Sequence, residues 1–589
     1  MKKTIAFFLS LIILLSASCI SAYASQIKEI SVSVEEMNEG AYEAIEKYLD
    51  EAKDKASDNL IYKIYIPSGN YTLTSGLHIF SNTQLILTES TVLSKGFSEG
   101  NMIKAGLYDE GNTHYSGYDG FKNIVVSGGV WDGVFNGSSC AMRFGHCTNL
   151  TISNLTVKNI MNAHHIEVAA VDGLDITACT FSGYIRMNNS SAEALQIDVL
   201  HTKEHFPAYD DYDDTPCKNV TVYGCLFEDL YSGVGTRSGV VGSYFENIKI
   251  INNTFTNIRE KAIYCFNYKN SEISGNVIND STCGIAFEYY PSGGSVSDKL
   301  CMPNDESKKA VVSSDCKSSI SNNIINVKRI DDTGESFGIF VYGSSLSKEQ
   351  ARSFGFTATD FTVKNIGIYS NYVFCHSSES RGIFLTGTSN SEIIGNSLTD
   401  YALANDGING VNLCASKKNL IKSNTVSGGF NNGISLYDRN GASSKSNSLC
   451  SNLITGVQSY GIRVAGASGI TIKNTNNIGS CGIASLCVSS KIIDMSLSNV
   501  TFKRSKLTQS GRAELRWNEV PEASGYKIYR SYGFGTAYKQ IATVKGAKLM
   551  FEDKMSRRGN TYYYKVCPYK KVGSTVIIGN ASTEYAFSC

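Results

Sequence analysis

Charge is scarce in this 589-residue chain: Asp, Glu, Lys and Arg make up 18%, with 54 residues of each sign and a formal net charge of zero. A nucleic-acid interface needs a basic face, so that class of partner is excluded. Long apolar runs are missing as well. The run Ile5 to Leu15 is too short for a membrane span, which needs about 20 residues. It follows the charged Met1-Lys-Lys-Thr4 and precedes Ala22-Tyr-Ala24, a small-x-small cleavage pattern, so residues 1–24 read as a secretory signal peptide. The mature protein is therefore expected to be secreted, free or associated with the cell surface, without a membrane span, and monomeric. There is no Cys-x-x-Cys pair and no Cys/His cluster, which excludes the common zinc sites. Of the 17 cysteines, Cys179, Cys225 and Cys283 fall at repeat positions where a thiol serves as a small apolar residue. Cys301 and Cys316 flank an insertion and are the better disulfide candidates. Leu-rich and Ala-rich stretches are few, which argues against helical and leucine-rich solenoids.

What the chain does have is a repeat. Between Asn149 and Asn474, short alternating apolar runs flank a small or amide residue. Markers at Asn154, Cys179, Cys225, Asn253, Asn276, Asn323, Asn371, Asn396, Asn424, Asn452 and Asn474 recur roughly every 22–28 residues, or about twice that where an insertion intervenes. Runs this short, alternating in twos and rich in Val, Ile, Thr and Asn, predict a coil of parallel strands. A recurrent Asn suits one corner of each turn because it tolerates the left-handed conformation and bonds neighbouring backbone. Stacked in register, the amides are expected to bond to one another along the axis. Residues 25–503 are assigned to this parallel β-helix. A helix over 35–58, with Ala41, Ile45, Leu49 and Ala52 on one face, is expected to cap its open end. Three insertions, His201 to Cys217, Pro291 to Cys316 and Ser344 to Asp360, leave the coil.

The opening turns read Ile64-Tyr-Ile-Pro-Ser-Gly-Asn-Tyr-Thr-Leu73 and Val126-Ser-Gly-Gly-Val-Trp-Asp-Gly133. Over roughly residues 60 to 270 the chain resembles the pectin-lyase-like superfamily, and within it the polygalacturonase family of glycoside hydrolases. That resemblance implies an all-β, right-handed parallel β-helix. After Arg504 the pattern becomes alternating strands between turns, such as Ala513-Glu-Leu-Arg-Trp517 and Thr561-Tyr-Tyr-Tyr-Lys-Val566. Residues 504–589 resemble a fibronectin type III β-sandwich, with Trp517 as its core tryptophan and Tyr562 as its corner tyrosine.

The catalytic motifs of the polygalacturonases do not carry over. Their Asn-Thr-Asp-Gly-x-Asp turn falls opposite Ser191-Ala-Glu-Ala-Leu-Gln-Ile-Asp198, their Asp pair opposite Tyr231-Ser232, and their His-Gly opposite Lys261-Ala262. The region is nevertheless the most polar in the coil. Gln196 and Asp198, two apart, share one side of a strand. Two carboxylates within roughly 5–10 Å suffice for glycoside hydrolysis, whereas a Ca²⁺ site beside a basic group suits β-elimination of a uronic acid. The expectation is a secreted enzyme that cleaves a polysaccharide. Glu193 would be its acid or base, Asp198 its partner or a metal ligand, and His165 would complete the catalytic set. Gln196, Tyr231, Arg237 and Lys261 would contact substrate. Asp210, Asp211, Asp213 and Asp214 are the candidate calcium ligands; an acidic loop of this kind is more often merely solvated. The rival expectation is a rigid, non-catalytic surface protein that binds glycan or host, with the C-terminal domain as a spacer.

Overall fold

The computed structural model describes residues 25–107, 114–187, 192–207, 209, 211–293, 295–307, 310–330, 335–402, 408–439 and 441–589. The signal-peptide assignment therefore lies outside the described residues. Alternation along the chain produces strands that pair in parallel with the next turn, so the fold is a parallel β-helix. Each full turn contributes three short strands, as in Lys218–Tyr223, Leu226–Leu230 and Ser232–Gly235.

Because the side-chain period in a strand is two, every second residue points inward, and register stacks like on like. Ile152, Ile176, Val222, Ile250, Ile273, Ile320, Ile368, Ile393, Ile421, Leu449 and Ile472 form one uninterrupted aliphatic column. A second column carries Phe181, Phe227 and Phe255, whose rings stack at 4.6 and 4.7 Å. A third carries Ile166, Leu195, Val234, Ile263 and Ile285. Each buried aliphatic side chain contributes roughly 1.5–3 kcal/mol, so the core grows with every turn rather than closing on itself.

The corner residues behave as the amide spacing predicts, with three corrections. The Nδ2 of Asn253 donates to Oδ1 of Asn276, and the same bond continues through Asn323, Asn371, Asn396, Asn424, Asn452 and Asn476 at 2.7–3.1 Å. First, the ladder ends on Asn476, where the spacing pointed to Asn474. Second, its first position holds Leu155 rather than Asn154, by alignment of Thr156 with Thr180. Third, the left-handed residue is the one before the marker, as at Asn252 and Asn322. Cys179 and Cys225 extend the same column: the Cys179 amide donates to Cys225 Sγ and the Cys225 amide to Asn253 Oδ1.

The expected helix over 35–58 is two helices, Val34–Glu39 and Ala41–Lys55, broken where Gly40 adopts an extended conformation. Ser33 and Glu36 form a reciprocal capping box at the first. Ala41, Ile45, Leu49 and Ala52 are all buried, and the first three lie in the main core with Leu73, Leu77 and Ile79.

At the other end, the C-terminal unit is not a separate bead. Its strand Thr575–Ile578 pairs in parallel with Thr471–Lys473, placing Ile577 directly on Ile472. The remaining C-terminal strands are antiparallel, with Phe502–Leu507, Ala513–Trp517 and Met550–Glu552 in one sheet. Gly525–Ser531, Lys539–Lys545, Thr561–Val572 and Tyr585–Ser588 pair antiparallel with one another. All 16 described cysteines are free thiols, so Cys301 and Cys316 do not form the disulfide that their spacing suggested.

Candidate functional site

Gln196 and Asp198 lie on the strand Glu193–Leu200 and point out of the coil, since Leu195 and Ile197 fill its interior. In register along this outer face run Arg143, Glu167, Gln196, Gly235 and Tyr264. The face is not open. The insertion that follows Leu200 folds back over it, burying Phe206 and Tyr209. The Tyr209 hydroxyl donates to the Ala105 carbonyl at 3.0 Å. Arg143 donates to the Pro207 carbonyl at 3.2 Å and lies 5.5 Å from the Phe206 ring.

Under that cover Gln196 and Asp198 are 0% exposed, and His165 is 0% exposed elsewhere, against the Thr180–Ile185 strand. Asp198 accepts hydrogen bonds from Gln196 Nε2, from the Val199 amide at 2.8 Å and from Ser238 Oγ at 3.2 Å. Burial pushes its carboxyl up to about 7, with the Glu167 charge adding to the shift. His165 donates from Nε2 to the Ser182 carbonyl at 3.0 Å, and burial drives its pKa down to about 4, so the ring is neutral. Glu167 is ion-paired to Arg143 at 2.6 Å. These groups hold one another and the cover in place. With no exposed surface, the three buried residues cannot touch a polysaccharide in this conformation, which removes the expected catalytic pairing of Glu193 with Asp198.

The remaining predicted residues are partly exposed but scattered. Glu193 keeps 13% of its side chain exposed, and its carboxylate stands 3.8 Å from His164 Nδ1. Lys261 pairs with Glu260, and its ammonium lies 4.9 Å from the centre of the Tyr264 ring. Burial opposes the Lys261 charge, but Glu260 and Glu288 raise its pKa and keep it protonated. Arg237 is exposed, two residues beyond the strand Ser232–Gly235. Tyr231 belongs to a different, shallow cleft of about 230 Å³ with Tyr184, Arg186 and Arg259.

The acidic run does not gather into a calcium site. Asp211 meets His114 at 3.1 Å. Asp213 accepts from the Gly117 and Thr215 amides at 2.7 and 3.1 Å. Asp214 accepts from His201 and the Asn304 amide; Asp210 lies outside the described residues. Three carboxylates bonded to three separate elements do not fit one Ca²⁺ ion, which needs six to eight converging oxygens.

A cleft that sequence reasoning missed lies higher on the coil, beside the third insertion. It encloses about 500 Å³ and is lined by Tyr290, Tyr342, Asp360, Lys364, Lys417 and Arg439 among others. The Tyr290 and Tyr342 rings face each other at 6.5 Å. Lys364 is neutralised by Asp360 at 2.7 Å, whereas Lys417 and Arg439 are exposed at the rim. The lining is built by successive turns: Tyr342 stands in register with Thr386, and Ala415 follows on the next turn. The insertion itself was legible as an interruption of the repeat. The lining was not, because its segments come from several turns that only stacking brings together.

Three comparisons bear on this chain. A family described as periplasmic copper-binding protein (NosD) matches residues 355–532. Among the described residues, no group of three or more His, Cys, Asp or Glu side chains is arranged to hold a metal ion, so the donors present do not fit a copper centre. The plasmin and fibronectin-binding protein A of Streptococcus pneumoniae is 25% identical over 269 residues, which is 40% of this chain and 36% of that protein. The chain thus spans little more than a third of the length of that relative. Among solved structures, the surface adhesin PfbA of Streptococcus pneumoniae has a TM-score of 0.46 at 18% identity, over 76% of this chain and 93% of the other. A tailspike protein of an E. coli bacteriophage, HK620, in complex with a pentasaccharide has a TM-score of 0.45 at 11% identity, over 93% and 88%.

Proposed function

We propose that this protein is a surface-acting, extracellular β-helix that binds glycan without cleaving it. The observation that carries the reading is the state of the predicted catalytic strand. Its carboxylate Asp198 and its neighbour Gln196 are wholly buried and serve as internal hydrogen-bonding partners, while the cleft of about 500 Å³ beside Tyr290 and Tyr342 is open. A cleft with paired tyrosines, amide and hydroxyl side chains and two rim cations offers the stacking and hydrogen-bonding groups that sugars use. The likeness to a protein named for binding plasmin and fibronectin supports adhesion over catalysis.

The same reading gives the rest of the chain its place. Residues 1–24 are the secretion leader, the helices at 34–55 cover the N-terminal end of the coil, and residues 504–589 form a fibronectin type III sandwich. Two details support the last assignment. Trp517 is fully buried, and the Tyr562 hydroxyl accepts from the Arg557 amide at 3.1 Å, the local contact of a corner tyrosine. The mature chain acts as a monomer.

The test is glycan-array binding of the mature chain beside Arg439→Ala and Tyr342→Ala. Binding should weaken about tenfold or more in each, with thermal stability changed by no more than about 0.5 kcal/mol for the exposed Arg439. Incubation with acidic and neutral polysaccharides should release no reducing ends and no unsaturated uronate. Polysaccharide cleavage that disappears in Glu193→Gln would restore the enzyme reading and end this one.

A further inference from the structure

The formal net charge of zero is a sum of unlike parts. Residues 504–589 hold 15 Lys and Arg against six Asp and Glu, leaving 39 against 48 in the rest of the chain. Part of that positive excess is gathered on one sheet face. Tyr526, Ile528, Tyr564 and Val566 fill the C-terminal core, so Lys527, Tyr529, Lys565 and Cys567, which alternate with them, face the other way. Ile577 lies in the coil core on Ile472, which turns Val576, Ile578 and Lys473 to that same side. There Cys567, Tyr569 and Ile578 form a small apolar cluster, with Tyr529 and Val576 packed against it.

Register places a lysine opposite four of these five residues. Lys527 stands opposite Cys567 and Lys565 opposite Tyr529. Lys571 stands opposite Val576, and Lys473 opposite Ile578. A fifth, Lys545, is separated from Tyr569 only by Gly525, which pairs with both. Lys473, Lys545 and Lys571 are exposed, and Lys527 and Lys565 are half-buried. Among the described residues none of the five is ion-paired, whereas Lys570, one residue along the same strand, is held by Glu522. Lys565 lies 4.6 Å from the centre of the Tyr538 ring. Glu584, at the edge of the face, is engaged by the Tyr538 hydroxyl and the Gly535 amide. Burial, and then the charge of Lys473, lowers the pKa of Lys527. Like charges on one sheet face are destabilising, and an anion laid across them removes that cost.

We infer that this face binds an extended polyanionic polysaccharide, one whose sugars carry carboxylate or sulfate groups. Four strand spacings separate Lys473 from Lys545, and six residues separate Lys565 from Lys571, each roughly 20 Å. A flat face of that size meets a chain with repeated charge better than it meets one small anion. Tyr563, two residues before Lys565, and Phe534, 78% exposed, stand 5.9 Å apart and extend the face with aromatic surface. Sugar rings pack on such surface, and a purely ionic site would not need it. The inference rests on the extracellular placement proposed above, which selects a polysaccharide over a nucleic acid, and is independent of the cleft beside Tyr342.

The experiment measures binding of the mature full-length chain to immobilised dextran sulfate, polygalacturonate and uncharged dextran, from about 50 to about 300 mM salt. Both charged polymers should bind, more weakly as salt rises, and uncharged dextran should not. Lys527→Gln, Lys565→Gln and Lys571→Gln together should weaken dextran sulfate binding about tenfold or more. Lys503→Gln, Lys506→Gln and Lys554→Gln remove the same charge from exposed positions outside this face, and together should weaken it less than about threefold. Tyr342→Ala should leave it unchanged, which separates this site from the cleft. Thermal melts confirm that each variant is folded. Equal losses in the two triple variants would mean attraction by net charge alone and would overturn the inference. So would duplex DNA bound as tightly as dextran sulfate and lost in the same triple variant. A chain that binds neither charged polymer, but forms oligomers that the first triple variant dissolves, would give the face to a second copy and overturn it too.

Discussion

Two of the polar stacks buried among the described residues, one at a corner of the coil and one on the outer face of a neighbouring sheet, are held in opposite ways. The asparagine ladder is neutral and saturated. Each amide in its middle donates once to the next asparagine and once to a carbonyl, as Asn371 does to Asn396 and Ile320, and each Oδ1 accepts a backbone amide besides. The outer stack of Arg143, Glu167, Gln196 and Asp198 is charged and only partly matched, leaving Gln196 Oε1 without a protein partner. The difference follows from how each is built. A repeat offers the same partner on every turn, so one residue type solves the same problem many times. The outer face is covered by insertions that occur once, and each polar group there needs its own arrangement.

The strongest way to break the comparison is to interrupt the ladder. Asn371→Leu keeps the volume but strands the Asn323 side-chain amide, the Asn323 backbone amide and the Ile320 carbonyl. Each buried orphan costs about 1–3 kcal/mol, so a loss of about 5 kcal/mol is expected, read as a shift of the urea midpoint. Because a solenoid turn contacts chiefly its neighbours, hydrogen exchange should quicken around residues 320–400 before it does near the ends. A loss under about 1 kcal/mol would mean that the ladder contributes register but little stability.

Removing one partner of the outer stack comes next. Arg143 and Glu167 are 12% and 3% exposed in their side chains, so Arg143→Met leaves a buried carboxylate unpaired and should cost about 4 kcal/mol. The double replacement Arg143→Met with Glu167→Met should recover most of that loss. No second substitution of this kind can rescue Asn371→Leu, whose cost is spread over several turns.

The same contrast explains what the sequence made legible. The coil could be read because strand alternation and the Asn spacing are periodic, and period survives without coordinates. The ladder's inner members were placed correctly, while its ends were misplaced by one or two residues at Asn154 and Asn474, where the period runs out. That Gln196 and Asp198 share one side of their strand was also legible, since it follows from strand geometry. Their burial was not, because it depends on where Phe206 and Tyr209 come to rest. Tyr342, Lys417 and Arg439 were missed for a related reason: a cleft assembled from successive turns has no signature in any one of them. The helix break at Gly40 lay in plain view as a glycine within an otherwise helical pattern.

The subtlest difference between the stacks is their response to pH. The asparagines do not titrate, whereas Asp198 in the outer stack and His165, buried against the Ser182 carbonyl, are shifted in opposite directions. Asp198 is raised from 3.8 to about 7 by burial. From about pH 4 to about pH 7 the native state therefore holds a proton that the unfolded chain has lost, and stability falls as pH rises. His165 is lowered from 6.5 to about 4, again by burial. Between about pH 4 and pH 6.5 the unfolded chain holds the extra proton, and stability rises with pH. The shifts correspond to about 4 kcal/mol for Asp198 and about 3 kcal/mol for His165 across their windows, and over most of that range the two largely offset each other. Asp198→Asn should uncover the rise and His165→Gln the fall, when urea midpoints are compared at pH 4.5, 5.5 and 6.5. Asn371→Leu should be lower at every pH and parallel to the native chain. If both titrating variants also ran parallel to it, the two buried groups would have to keep one protonation state from pH 4.5 to 6.5, and the charged stack would be as indifferent to pH as the ladder.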